Sequence, residues 1–514
     1  MEDAKNKKLI LTGLFIALGE VLLVDAMSGI IGPAIISELG GTSLYAFMYT
    51  LSYLCSTLAL PFTSMVGQKS GRKKIIIAGI LVYGISTFLA GFAGSMTFHV
   101  VMRGLQGIGK GCILGNVLAY FGEYLNEGDR AKAMGFYGTL TGLVFLLAPV
   151  VGGVMGDFIG WRSTFYISVP FSILAFFILL KMPEQELDRG DLPLDWVGTI
   201  LLAAITIGIV MMFSWGGQSY PWLSFPVIGM GGLFVVSLAV FVAYIQKAAH
   251  PIFSPALFRN REFILVTLGV GLIAPSMYAV GTYLPMVNQA LVETSSTVSG
   301  FIIAAKSAIQ LVLGYGMGAF IAKTHRVKLV VVTTAVAYVI SNLMIGFCNS
   351  AAMFAMLLIG VLLSGYGTTG YSMVYTLHAQ NELPKEMVGE ASSTIQYIQS
   401  LCGTIGLSVV GMVLNVSFAA GLTASVPAGL TDYIPAGELQ GYMGTAILTD
   451  KSVLLNASSA LQAEGQKLFT EFAGNIHNAY AAAMLRAFVV LAVLSALALI
   501  FALMMRASKK EASE

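Results

Sequence analysis

Apolar residues run along this chain in stretches of about twenty, separated by short polar breaks, from residue 9 to residue 505. Fourteen such stretches stand out: 9–31, 44–66, 75–93, 98–120, 133–158, 162–180, 194–213, 224–245, 263–287, 298–321, 329–348, 352–376, 391–415 and 481–505. At 1.5 Å per residue each is long enough, as a helix, to cross a hydrocarbon core of about 30 Å. The pattern predicts an all-α polytopic membrane protein with fourteen transmembrane spans. Residues 416–480, rich in Ala, Gly, Ser and Thr, carry only short apolar runs and are expected to form an external loop. Lys5, Lys7 and Lys8 imitate the start of a signal peptide, but the stretch that follows is too long and holds Glu20 and Asp25.

Composition agrees. Of 514 residues 57% are apolar and 11% charged, where a soluble domain carries about 25% charged residues. A net charge of +2 gives no basic field for nucleic acid. Cys55, Cys112, Cys348 and Cys402 all fall within apolar stretches, which argues against a disulfide framework. Charge placement sets the orientation. With the N-terminus inside, 21 of the 28 basic residues fall in cytoplasmic segments, and only Arg162, Lys451 and Lys467 fall outside. Both termini are therefore expected in the cytoplasm, with the chain in a cell membrane of the bacterial cytoplasmic type. Gly104 to Gly111 imitates a phosphate-binding loop, but it lacks the closing Ser or Thr and sits within a span. With no metal or nucleophile–base motif either, neither an enzyme nor a cofactor is implied, and energy must come from an ion or substrate gradient.

Several motifs punctuate the spans. Between the second and third lies Gly67-Gln68-Lys69-Ser70-Gly71-Arg72-Lys73-Lys74, a glycine turn with cations suited to anionic lipid. Span 4 carries Arg103-Gly104-Leu105-Gln106-Gly107-Ile108-Gly109, and span 5 carries Ala148-Pro149-Val150-Val151-Gly152-Gly153. Trp161-Arg162 leads to Phe165, Ile167, Val169 and Pro170 at span 6, and Leu194-Asp195-Trp196-Val197-Gly198 opens span 7. Leu257 through Phe263 reads LFRNREF, and Pro384 precedes span 13. In order and spacing these blocks resemble the major facilitator superfamily, and within it the fourteen-span drug:proton antiporters. Gly71, Arg72 and Lys73 fit the end of that family's signature loop, where Gln68 replaces its Asp. Arg103, Gln106, Gly107 and Gly109 match R-x-x-Q-G-x-G, while Pro149, Gly152 and Gly153 match G-P-x-x-G-G. The resemblance implies two six-helix bundles, 1–181 and 263–505, with two inserted linker helices at 194–245. It also implies gating roles for Gly71, Arg72, Lys73, Gly107, Pro149, Gly152 and Gly153.

Charge at membrane depth is costly and usually faces a cavity or a partner. Measured from the inner end at 1.5 Å per residue, Glu20 lies at roughly 16 Å and Asp25 at roughly 24 Å along span 1. On span 4, Lys110 lies at roughly 16 Å and Arg103 at roughly 26 Å. Depth thus pairs Asp25 with Arg103 and Glu20 with Lys110, either as structural ion pairs or as proton-coupling groups, of which Glu20, near the midplane, is the stronger candidate on depth. On an ideal helix, however, Glu20 and Asp25 point about 140° apart. Lys306 in span 10 has no acid in its own span; it either snorkels to an interface or faces the cavity as an anion anchor. Tyr278, Tyr283, Tyr371 and Tyr375 offer aromatic area with hydroxyls for an amphipathic ligand, and Gln106 joins them in the expected substrate set. His99 and His378, near span ends, are expected at the interface.

The reading is a proton-coupled secondary transporter, an exporter of small amphipathic organic molecules working by alternating access as a monomer, with protons, substrate and membrane lipid as partners. A proton-coupled carrier of organic anions, possible also in the uptake direction, is the alternative. A non-transporting receptor or scaffold is more remote.

Overall fold

A computed structural model describes residues 2–41, 44–125, 127–182, 195–217, 220–248, 253, 255–324, 326–381, 388–423, 426–427, 429–430, 433–434 and 463–506. Its elements are α1 (Glu2–Leu39), α2 (Tyr45–Ser70), α3 (Arg72–Gly91), α4 (Met96–Tyr124), α5 (Glu127–Phe158), the single turn α6 (Ser163–Tyr166) and α7 (Val169–Leu180). There follow α8 (Trp196–Trp215), α9 (Phe225–Ile245), α10 (Arg261–Met286), α11 (Ser296–Thr324), α12 (Val327–Phe347), α13 (Phe354–Asn381), α14 (Val388–Thr423) and α15 (Ala463–Met504). Every one of the fourteen apolar stretches falls on this helical framework. Twelve of the described helical stretches are long and apolar enough to cross a membrane. The other two helices are α2, in which Phe47–Leu60 is an apolar run among the described residues, and α4. Both turn polar side chains inward: Thr50, Ser52, Ser56 and Thr57 on α2, and His99, Arg103, Gln106 and Asn116 on α4, are all buried.

Local chemistry sets the helix ends. The Ser95 hydroxyl accepts from the amide of Phe98 to cap α4, and Asn260 caps α10 by accepting from Phe263. Asp195 of the span-7 motif is an N-cap: its carboxylate accepts from the Gly198 amide at 2.8 Å and from the Tyr244 hydroxyl at 2.6 Å, tying α9 back to α8. Span 6 breaks into α6 and α7 ahead of Pro170, which occupies the first turn of α7.

The connection before the last helix is shorter than composition indicates. Composition makes a loop of 416–480, but α14 continues to Thr423 and α15 begins at Ala463, so 416–423 and 463–480 are helical. The Ala-rich sequence of these stretches suits a helix that extends past the apolar core. Leu430 and Ile434 of the connection are buried in the same apolar cluster as Phe469, Phe472 and Ile476. Residues 435–462 with Lys451, and Pro384, lie outside the described residues.

Glycine lets the helices meet backbone to backbone. A Cβ on Gly107 would stand 2.2 Å from the Ser52 carbonyl oxygen, so α4 lies directly on α2. At the α5–α11 contact the clash is reciprocal: a Cβ on Gly153 would lie 2.4 Å from the Ser296 oxygen, and one on Gly300 would lie 2.3 Å from the Pro149 oxygen. Gly29 of α1 faces the Gly281 carbonyl of α10 in the same manner, at 2.9 Å. The span-5 motif is thus the seam between the first seven helices and α11. Overpacking such a contact costs roughly 1–3 kcal/mol. Gly153→Val should therefore lower the melting temperature and abolish transport. Gly316→Ala, where a Cβ meets nothing within 4 Å, should do neither, as thermal unfolding in detergent and a flux assay would show.

Candidate functional site

The centre of the bundle is built around one ion pair. Asp25 of α1 and Lys110 of α4 are in direct contact, and each side chain keeps a little exposure, 18% and 13%. The Lys110 ammonium also sits 4.9 Å from the ring centroid of Tyr53 on α2. Tyr53 in turn meets Tyr278 of α10 edge to face at 4.8 Å. Nearby, Thr57 and Ser400 share a hydrogen bond of 2.6 Å between α2 and α14, and the Gln399 amide donates to the Met277 sulfur at 3.6 Å. A charged pair, two tyrosines and small polar groups from α1, α2, α4, α10 and α14 thus converge where the two sets of helices meet.

This pairing differs from the depth-matched expectation. Arg103 does not meet Asp25: its Nη1 donates to Gln106 Oε1 at 2.7 Å and to Ser28 Oγ at 3.2 Å, and its guanidinium lies 5.8 Å from the Tyr49 ring centroid. Glu20 does not meet Lys110: it accepts from the Ser172 hydroxyl of α7, and its second oxygen is buried with no partner among the described residues. The reason is angular. Asp25 and Ser28 share the face of α1 that looks at α4, three residues apart, and Arg103 and Lys110 share the facing side of the antiparallel α4. Glu20 points about 140° away, toward α7. The long lysine stem absorbs the roughly 8 Å offset in depth, so direction decides the pairing.

Other expected site residues divide. Tyr278 lines the centre. Tyr371 and Tyr375 do not: both are fully buried in the core of the later helices, where the Tyr371 hydroxyl donates to the Val270 carbonyl and the Tyr375 ring lies against Gly269. Gln106 is buried too, and serves as a bridge that accepts from Arg103 and donates to Thr87 Oγ1 at 2.7 Å. Tyr283 lies nearer the end of the bundle that holds Glu38. There, with Tyr45, Tyr480 and Asn415, it lines a cavity of about 10 Å³, about the size of a single water. Lys306 is half-buried on α11, with no hydrogen-bond or ion-pair partner among the described residues. His99 and His378 are wholly buried rather than interfacial: His99 Nδ1 contacts the Ala90 carbonyl at 2.9 Å, and His378 Nε2 lies 3.4 Å from Glu262.

The signature-loop residues act as fasteners. Gly71 has φ +92°, a conformation open to glycine, and it lets α3 start immediately after α2. Arg72 is buried and donates to Asn116 Oδ1 of α4 at 2.9 Å, while Lys73 donates to the Leu180 carbonyl at the end of α7. At the opposite end Glu38 accepts from Trp161 Nε1 and from Arg162, so the Trp-Arg motif pins α1. Sequence reasoning misses Ser28, Tyr49, Tyr53 and Ser172. For three of them spacing carries a signal: Ser28 stands three residues after Asp25, and Tyr49 and Tyr53 repeat at four along α2.

Breaking a buried pair by removing one partner costs about 3–5 kcal/mol. Lys110→Met alone should therefore destabilise the protein, and Asp25→Asn combined with Lys110→Met should recover much of the loss. Asp25→Asn combined with Arg103→Gln should show no such coupling. A double-mutant cycle on melting temperature in detergent measures both, and coupling of Asp25 to Arg103 instead would contradict the observed pairing.

Residues 11–407 match the family model of the Major Facilitator Superfamily. The chain is 27% identical over 420 residues to the multidrug transporter protein MdtP of Bacillus subtilis (strain 168), covering 80% of this chain and 76% of that one. To multidrug resistance protein 3 of the same organism it is 27% identical over 406 residues, covering 78% and 79%. In fold it is similar to a bacterial homolog of the human lysosomal transporter Spinster, solved inward-facing and unoccupied, with TM-score 0.63 and 15% identity over 98% of this chain and 99% of that one. A point mutant of the nucleoside transporter NupG is also similar, with TM-score 0.59 and 12% identity over 94% and 99%. A helical chain with a charged, aromatic centre and a family match over most of its length is a multi-pass membrane transporter, not an enzyme, and it belongs to the major facilitator superfamily.

Proposed function

We propose that this protein is a proton-coupled exporter of small amphipathic organic molecules that works by alternating access at the Asp25–Lys110 centre. The observation that carries this reading is that ion pair, placed between α1 and α4 beside Tyr53 and Tyr278 and still partly accessible. A proton that reaches Asp25 cancels its charge and frees Lys110, so the pair has two states with different helix–helix attraction. Loading from one side and release to the other couples proton flow to movement. The multidrug names of the two Bacillus subtilis relatives support the cargo class.

The architecture that fits is fourteen spans with both termini cytoplasmic, bundles at 1–181 and 263–505, and α8 and α9 inserted between them, in a cell membrane of the bacterial type. On that orientation the Glu38 end is external. Contacts across it would then shut the outer side: Tyr45 donates to the Thr282 carbonyl at 2.7 Å, and Gln289 donates to the Ile30 carbonyl at 2.9 Å. Glu20, reached only where α1 parts from α7, would be a second protonation site rather than the primary one. A single chain holds all of these parts, so a monomer suffices.

In proteoliposomes with an imposed pH gradient, Asp25→Asn should abolish uphill accumulation of a transported dye while keeping substrate exchange at equal pH. Glu20→Gln should keep most accumulation. Full accumulation by the Asp25 variant would remove Asp25 from coupling; loss of accumulation only in the Glu20 variant would transfer the role there.

A further inference from the structure

The charges inside the bundle do not cancel. Asp25 and Lys110 satisfy one another, and Glu20 is turned toward Ser172 on the far side of α1. Among the described residues at that depth, two cations, Arg103 and Lys306, stand against the one remaining acid, Glu20. Arg103 is buried and held by the neutral oxygens of Ser28 and Gln106. Lys306 is only half-buried, and no described residue pairs with its ammonium.

Lys306 is not a snorkelling residue. On α11 the outward stripe is marked by Phe301 and Val312, 57% and 72% exposed. Lys306 lies about 120–140° around the helix from both, on the side away from lipid. Beside it α13 presents bare backbone at Gly365, where a Cβ would lie 2.9 Å from the Lys306 carbonyl oxygen and 3.4 Å from its Cγ. The glycine thus lets α13 lie directly against the α11 backbone and the Lys306 stem. Depth also fits the centre. Lys306 is roughly 15 Å from the start of α11 and Tyr278 roughly 12 Å from the end of α10, two helix ends joined by a short connection.

A lysine ammonium offers three donors and accepts nothing. At membrane depth it pairs with a counter-charge or faces a cavity, and no counter-charge is supplied by the described residues. We propose that the counter-charge is the cargo: Lys306 is the anchor for the carboxylate, or a sulfonate or phosphate in its place, of an amphipathic organic acid whose apolar body lies against Tyr53 and Tyr278. This rests on the transport reading above and narrows its substrate class to organic anions. Arg103, fixed by its neutral partners behind Tyr49, adds positive potential without touching the ligand.

The test is equilibrium binding, which needs no proton gradient. Purified protein in detergent is titrated by calorimetry with 2-naphthoate, 2-naphthamide and 2-naphthylmethylammonium, which share an apolar body and differ in charge. Wild type should bind naphthoate at least tenfold more tightly than the amide, about 1.4 kcal/mol. Lys306→Met, which keeps the bulk of the stem, should erase that preference and leave amide binding unchanged, and Lys306→Arg should retain it. The amide isotherm and an unchanged melting temperature verify that each variant is folded. Equal affinity of wild type for naphthoate and amide, preference for the ammonium, or naphthoate binding indifferent to Lys306→Met would each overturn the assignment. Displacement of naphthoate by chloride at matching concentration would make the site an inorganic-anion site and overturn it as well. Anion-selective binding without proton-driven flux would instead refute the transport reading alone.

Discussion

A charge placed in hydrocarbon must find a partner or face a cavity, and that requirement organises the first seven helices. Lys110 settles it with Asp25, and Arg103 settles it with Ser28 and Gln106. Both solutions tie α4 to α1 along one face of each helix. What keeps α4 in the bundle is burial of its polar side chains against α1, α2 and α3. Gly107 and Gly109 make this possible by bringing α4 against the backbones of α2 and α3. Where the glycines stop, the hydrogen bonds of Arg72 and Asn116 take over. Tight approach and charge satisfaction are therefore one arrangement seen from two sides.

Much of the fold is legible in the residues. Long apolar stretches name helices because a backbone in lipid has to satisfy its own hydrogen bonds, and each of the fourteen is helical. The motif glycines announce close approach, and at Gly107, Gly109 and Gly153 a carbonyl oxygen lies 2.2–2.9 Å from where a Cβ would be. The candidate site is half legible. Asp25, Lys110, Arg103 and Tyr278 stand out in the sequence as polar groups at depth. Their pairing does not, because depth is a property of one helix while contact needs the rotation of two. Tyr371 and Tyr375 show the complementary difficulty: aromatic spacing at four fits a lined cavity and a packed core equally well, and here the core claims them. The ends of the connection before α15 mislead because Ala-rich helix and loop look alike in hydropathy.

The relatives and the fold neighbours speak to different things. Solved structures at 12–15% identity share the architecture and nothing finer. The multidrug relatives match more closely in sequence, yet a centre whose surplus charge is positive differs from what a lipophilic cation would seek. An anion anchor at Lys306, as proposed, would set the cargo through one side chain, since one scaffold hosts many functions.

Asp157 shows how such a machine can be tuned mainly from one side. At the end of α5 its carboxylate accepts from the main-chain amides of Ser296 and Thr297, the first turn of α11, at 3.1 and 2.8 Å. An acid from one set of helices thus caps a helix of the other, with the α11 dipole reinforcing the attraction. Two of the three donors are backbone groups and the third is the Thr297 hydroxyl, at 2.6 Å. Most side-chain changes on that turn thus leave two contacts intact, while a change at Thr297 removes one and a proline would delete a backbone donor. The strength of the clasp is therefore written mainly at position 157, with the Thr297 hydroxyl adding to it. Away from Thr297, sequence drift across the first turn of α11 can alter what that turn touches in lipid or solvent while the backbone grip between the two sets of helices stays the same.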